Sequence, residues 1–320
     1  MIYFRTEKSN ANVGGKREPL NGKVRMVASM AVFGSMGLVV RSIGLPTGGI
    51  ALMRGALGAG FLFLLLTLTG RRVSWRAVRD NLGLLTLSGA LLGANWIFLF
   101  EAYRCTTIQL ATLIYYLAPV LILAASPLVL EERLTARKAG CVLAALAGMA
   151  LVSGIGAGGA ENSSGILFGL CAAVCYAAMT LTNKFMKGVS PIEATMVQLL
   201  VSAASLLPYA LITDSLALAG AGPKDVLLML VLGVVHTGLA FFWFFSSVRD
   251  LPAQTVAMFS YIDPATAILL SALLLKERLD APQILGACLI LGAALMGELP
   301  LERLSFPRVA RLSARRAAGR

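Results

Sequence analysis

The chain has 320 residues, 58% hydrophobic and only 14% charged, with a net charge of +12 and a mean hydropathy of +0.79. These values exclude an ordinary soluble domain. The positive balance is not a nucleic-acid signature either, because the basic residues sit in loops and tails beside apolar runs, and the arginine-rich tail has Phe306 as its only aromatic.

In chain order, residues 1–24 form a polar arm with no convincing signal-peptide cleavage site. Ten apolar runs follow, at about 25–43, 47–69, 82–103, 107–130, 137–154, 165–186, 191–213, 225–246, 252–275 and 281–298. Each is about twenty residues, the length that matches a hydrocarbon core of roughly 30 Å. The stretch 155–164, a Gly/Ser-rich linker, separates the first five runs (25–154) from the second five (165–298), and 299–320 is a basic tail. Small residues such as Gly55, Gly58, Gly165 and Gly169 permit close helix approach, within the bundle or in a homodimer. Four cysteines lie inside apolar runs and Cys105 at a run's edge, so neither a disulfide framework nor a metal site is expected.

The halves repeat one another. Residues 106–134 read TTIQLATLIYYLAPVLILAASPLVLEERL, and 251–279 read LPAQTVAMFSYIDPATAILLSALLLKERL. Pro119/Pro264, Tyr116/Tyr261, Gln109/Gln254 and Glu132/Glu277 are each 145 residues apart. Lysine and arginine concentrate on one side of the runs: the N-terminal arm, Arg71 to Arg79, Arg133 to Lys138, Lys184, Lys187, Arg249 and the tail. That side is therefore expected to be cytoplasmic, with both termini inside. Five runs per half is an odd number, so the second half crosses in the opposite sense. The expected fold is an all-α integral membrane protein of ten transmembrane helices in two five-helix inverted-topology repeats, a plan that lets two halves rock about a central site.

Polar residues deep in a span usually face a cavity or a partner helix. Asp263 is central in the ninth run and His236, the only histidine, is central in the eighth. An unpaired carboxylate there would cost at least about 2.5 kcal/mol. Two readings stay open: a titratable Asp263–His236 pair that couples protons to transport, or a structural hydrogen bond between the two runs. Arg54 offers a planar fork for a substrate carboxylate, or a structural ion pair with Glu101. Tyr116, Tyr261, Asn95, Trp96 and Gln198 are further candidates for lining a pocket, with interior packing as the alternative for the aromatics. Pro119 and Pro264 each remove a helix hydrogen bond, which predicts a kink or hinge in both copies.

No phosphate-binding loop, zinc-protease helix or nucleophile elbow is present. Catalysis, cofactors and metals are therefore not expected, and transport would be gradient-driven or facilitative. The expected partners are a small-molecule substrate, membrane lipids and, if the Asp263 pair titrates, protons.

The doubled proline-containing span ending in Glu-Arg-Leu, with ALMRGALGAG at 51–60 and NWIFLFEAYRCTT at 95–107, resembles the drug/metabolite transporter superfamily in its EamA-type branch. The resemblance covers nearly all of 25–298 and implies an inner-membrane carrier with a central cavity, exporting amino acids or other small metabolites. A multidrug or lipophilic-cation exporter is the alternative within transport, motivated by Asp263 near Tyr261, Trp243 and Phe259. A membrane scaffold or a lipid-handling protein is the alternative outside it.

Overall fold

A computed structural model describes residues 19–106, 108–132, 134–153, 163–213, 221–274 and 281–298. Among them every regular element is helical. A helix satisfies its own backbone donors and acceptors, which lipid cannot do. Helices α1 (Pro19–Arg41), α2 (Thr47–Leu68), α3 (Trp75–Asp80), α4 (Leu82–Cys105), α5 (Ile108–Tyr115), α6 (Ala118–Leu130) and α7 (Ala136–Ser153) build the first half. The second contains α8 (Ser163–Asn183), α9 (Pro191–Ile212), α10 (Pro223–Val231), a π-helical stretch (Leu232–Leu239), α11 (Ala240–Asp250), α12 (Ala253–Phe259), α13 (Ile262–Leu274) and α14 (Ala281–Glu298). Residues 1–18, most of the Gly/Ser-rich linker, the second Glu-Arg-Leu and the tail lie outside the described residues.

Seven helical stretches among the described residues are long and apolar enough to cross a membrane: Asn21–Val40, Thr47–Leu68, Leu82–Cys105, Ala111–Leu130, Ser163–Asn183, Pro191–Ile212 and Pro223–Asp250. Helix α7 opens with Arg137 and Lys138, which dilute its hydropathy, and the apolar part of α14 is the shorter Ala281–Ala293.

Both mid-run prolines coincide with a break. Helix α5 stops at Tyr115 and α6 resumes at Ala118; α12 stops at Phe259 and α13 resumes at Ile262. Pro119 and Pro264 lack the N–H that would reach the carbonyls of Tyr115 and Ser260, and their rings crowd the same turn. The chain tightens there instead: Leu117 N donates to Ile114 O at 3.0 Å, and Tyr261 N to Met258 O at 3.3 Å.

Helix contacts follow a pattern of exchange between halves. Helix α1 packs on α11 and α13, while α8 packs on α4 and on α5 and α6. Helix α2 meets α9, α7 meets α14, and α6 meets α12. Glycine makes the tightest of these approaches possible. A Cβ on Gly58 would stand 3.0 Å from Gly238 N and 3.1 Å from Gly233 O, so α2 and the π stretch touch through backbone. Gly165 and Gly169 likewise lie against Thr106 and Ile114. These glycines are used inside the bundle.

The two ends of the bundle differ. At the end where α1 starts, Arg25 pairs with Asp250 and Asn81 exchanges two hydrogen bonds with Lys187. There too Arg249 donates to Val189 O at 2.8 Å, Lys184 donates to Leu251 O, and Arg137 donates to Met296 O near the end of α14. Glu132 accepts from the backbone N–H groups of Ala253 (2.8 Å) and Gln254 (3.4 Å), capping α12. Its neighbour Glu131 makes that possible by adopting a left-handed conformation at φ 55° as α6 ends. At the opposite end Asp225 accepts from Gly44 N at 3.1 Å, and Glu101 accepts from Arg104 and Tyr209.

Candidate functional site

A cavity of about 290 Å³ opens among α1, α2, α4, α5, α6, α8, α11 and α13. It lies in the half of the bundle remote from the Glu132 end: its wall takes Met36 and Val40 from the last turns of α1, Arg54 from the early turns of α2, and Tyr103 from the end of α4. Aromatic rings form much of the lining. Phe33 and Phe241 are 4.8 Å apart between centroids, Trp96 meets Phe241 edge-on at 5.9 Å, and Tyr115 meets Tyr176 at 5.8 Å. Trp96 and Phe241 are themselves 145 residues apart, so the repeat supplies both sides of this wall.

Arg54 is buried at 6% exposure on the cavity wall. Its guanidinium lies 3.7 Å from the centre of the Trp96 ring, a cation–π contact worth about 2 kcal/mol or more when desolvated. Nη1 points at the Met36 thioether at 2.7 Å, a weak acceptor, and Nε has no hydrogen-bond partner. No carboxylate pairs with Arg54 among the described residues. The expected ion pair with Glu101 does not form. Glu101 sits farther along α4, near the bundle's end, where it accepts from Arg104 at 3.0 Å and Tyr209 at 2.7 Å.

Asp263 stands in the first turn of α13, immediately after the break, and faces the cavity. The Tyr116 hydroxyl shares the cavity wall with its carboxyl and acts on it. Its repeat counterpart Ala118 also lines the cavity, so an apolar and an ionisable residue occupy matching places. Asn95 fixes α4 to α8 by donating to Ala172 O at 2.7 Å and also faces the cavity beside Trp96. Pro119 is in the wall as well.

Several expected contributors lie elsewhere. The Asp263–His236 pair does not form: His236 Nε2 is 3.0 Å from Ser35 Oγ and Nδ1 is 3.4 Å from Val231 O, and His236 is not in the cavity wall. The π stretch sets that direction by bringing residue 231 beside residue 236. Gln198 belongs to a buried structural network, donating to Asn183 Oδ1 at 2.8 Å and Ser88 Oγ at 3.1 Å. Tyr261 is fully buried behind Tyr116. Pro264, Trp243 and Phe259 do not line the cavity either; the aromatic residues that share it with Asp263 are others.

Residues not singled out beforehand complete the wall. Tyr176 contacts Ser260 through its hydroxyl at 3.2 Å, and Tyr103 is 3.5 Å from Thr112 Oγ1. Their signal in sequence is faint: a tyrosine in an apolar span needs a partner for its hydroxyl. Among the described residues no three His, Cys, Asp or Glu side chains gather as they would around a metal.

Comparison with known proteins agrees with this architecture. The profile of the EamA-like transporter family matches residues 21–154 and again 163–297. A Bacillus subtilis (strain 168) protein described as the uncharacterized transporter YxxF is 31% identical over 272 residues, covering 83% of this chain and 86% of the relative. An Archaeoglobus fulgidus protein, also described as an uncharacterized transporter, is 29% identical over 276 residues, covering 86% and 95%. A solved structure with 18% identity superposes with a TM-score of 0.78 over 87% of this chain and 97% of its own, a likeness of fold alone.

Proposed function

For this chain, which belongs to the EamA-like transporter family, we propose export of a small polar or amphipathic metabolite, an amino acid or derivative, across the cytoplasmic membrane by alternating access. The observation that carries this reading is the cavity: it is built by both halves, lies nearer one end, and is lined by an arginine and an aspartate among aromatic rings. At about 290 Å³ it matches the small end of ligand pockets, roughly 300 to 1,000 Å³, and suits a compact solute better than a bulky drug.

Ten spans in two inverted repeats are part of the proposal. Support comes from direction: α1 begins at the end carrying the Arg25–Asp250 pair, whereas its repeat counterpart α8 begins against Thr106 at the opposite end. The Glu132 end also carries Arg25, Arg79, Arg137, Lys138, Lys184, Lys187 and Arg249, which favours its assignment to the cytoplasm. On that assignment the cavity faces outward and the cross-ties close the inner side. Each half can then tilt at its proline break while the inner ties part.

Proton coupling in this reading resides on Asp263 without His236. Arg54 and the hydroxyls of Tyr103, Tyr115, Tyr116 and Tyr176 share the cavity with it. The test is flux in proteoliposomes loaded with labelled amino acids, nucleosides or organic cations, with and without an imposed pH gradient. The expected result is amino-acid flux that responds to the gradient in wild type and His236→Asn but not in Asp263→Asn. A gradient response retained by Asp263→Asn removes the coupling role, and no flux for any solute class removes the export reading.

A further inference from the structure

We infer that the cavity recognises its substrate as a dipolar ion, with Arg54 holding an anionic group and Asp263 a cationic one. This rests on the transport reading and adds the chemistry by which the site selects. The two side chains line one cavity, yet neither pairs with the other or with any opposite charge among the described residues. Burying a charge without a counter-charge is expensive, and each residue has only partial relief. For Arg54 that relief is the Trp96 face and a thioether; for Asp263 it is the Tyr116 hydroxyl.

Geometry distinguishes the two ends. Stacking on Trp96 occupies the face of the guanidinium and leaves its edge available, and Nε is the donor with no partner. A carboxylate lying in the guanidinium plane is the acceptor that such an edge fits. Asp263 shares the cavity wall with Tyr103, Tyr115, Tyr116 and Tyr176. A carboxylate in a wall rich in aromatic rings suits an ammonium, which both attract. Phe33, Phe241, Phe244 and Trp96 also line the cavity and offer apolar surface for the substrate's uncharged body. A lipophilic cation would leave Arg54 uncompensated, and a simple organic anion would leave Asp263 so.

The experiment uses the full-length protein in proteoliposomes at neutral pH, with labelled L-phenylalanine, 2-phenylethylamine and 3-phenylpropionate as probes. They share a ring and differ only in which charges they carry. Wild type is expected to favour phenylalanine over either analogue by about tenfold or more, the size of one charge-assisted contact. Arg54→Gln should abolish the preference over 2-phenylethylamine, and Asp263→Asn the preference over 3-phenylpropionate. Arg54→Lys should keep only part of the first preference, since the charge remains but the planar edge is lost. Size-exclusion profiles and flux of the probe that each variant still accepts show that the variants fold. Wild-type flux without preference for the dipolar probe overturns the inference and leaves transport standing. Loss of all three probes alike in each variant also overturns it, because a selective role must spare one analogue. Failure of wild type to move any of the three overturns the inference for this cavity, and only failure across the wider solute panel reaches the transport reading.

Discussion

The Tyr261 hydroxyl donates to the backbone carbonyl of Tyr116 at 3.0 Å, and the two rings stack 29° from parallel with centroids 6.1 Å apart. These residues occupy the same place in the two copies, each next to a helix break, so the breaks are tied directly to one another. Tyr261→Phe removes the bond but keeps the stack. It should lower stability by about 1 kcal/mol, seen as a drop of roughly 2–4 °C in a thermal melt. Tyr116→Phe leaves the carbonyl bond intact and removes the hydroxyl beside Asp263, so flux should fall with little change in melting.

Gly34 marks the closest approach of α1 to α13. A Cβ there would lie 2.4 Å from the carbonyl oxygen of Asp263 and 2.7 Å from Thr266 Cβ, contacts that only a shift of the helices can relieve. Gly34→Ala should therefore cost about 1–3 kcal/mol and reduce flux by displacing the cavity aspartate. Gly60→Ala, where nothing lies within 4 Å, should melt at or slightly above the wild-type temperature.

Glu132 holds the start of α12 through two backbone N–H groups. Glu132→Ala should speed hydrogen exchange at Ala253 and Gln254 while leaving the middle of α4 protected. Unchanged exchange at those two amides would sink the idea that this carboxylate ties the end shut. Glu131→Gly tests the neighbouring strain, since a left-handed residue with a side chain costs about 1–2 kcal/mol. A modest rise in melting temperature is expected, because glycine adopts that conformation freely but loses more entropy on folding.

Gln198, Asn183 and Ser88 tie α9, α8 and α4 together away from the cavity. Gln198→Leu should lower stability by about 1–3 kcal/mol, because it leaves buried partners unsatisfied. Substrate concentration dependence of flux, measured alongside, should not move.

Some of this arrangement was legible in the letters. Identical residues at a spacing of 145 marked the paired breaks, and Asp263 stood out as the departure from Ala118; both positions face the cavity. The direction of other side chains was not legible. In a run that is apolar on every side, periodicity no longer reports which face is inward. Arg54 and Glu101 thus seemed natural partners by depth, while the structure turns one to Trp96 and the other to Tyr209. His236 depends on a π stretch, whose extra residue per turn rotates everything after it and has no clear signature in sequence.

The presence of Arg54 and Asp263 in one cavity wall has an electrical consequence. With the guanidinium cationic and the carboxylate ionised, the wall carries no net charge, and a dipolar solute adds none. A membrane potential acts on a moved charge with about 2.3 kcal/mol per 100 mV. It would therefore gain little hold on either the loaded or the empty cavity while Asp263 stays ionised, and voltage would act only on the step in which Asp263 carries a proton. Protonating Asp263 ends that balance by leaving Arg54 alone, so voltage sensitivity that appears only on acidification would report the ionisation of this one carboxylate.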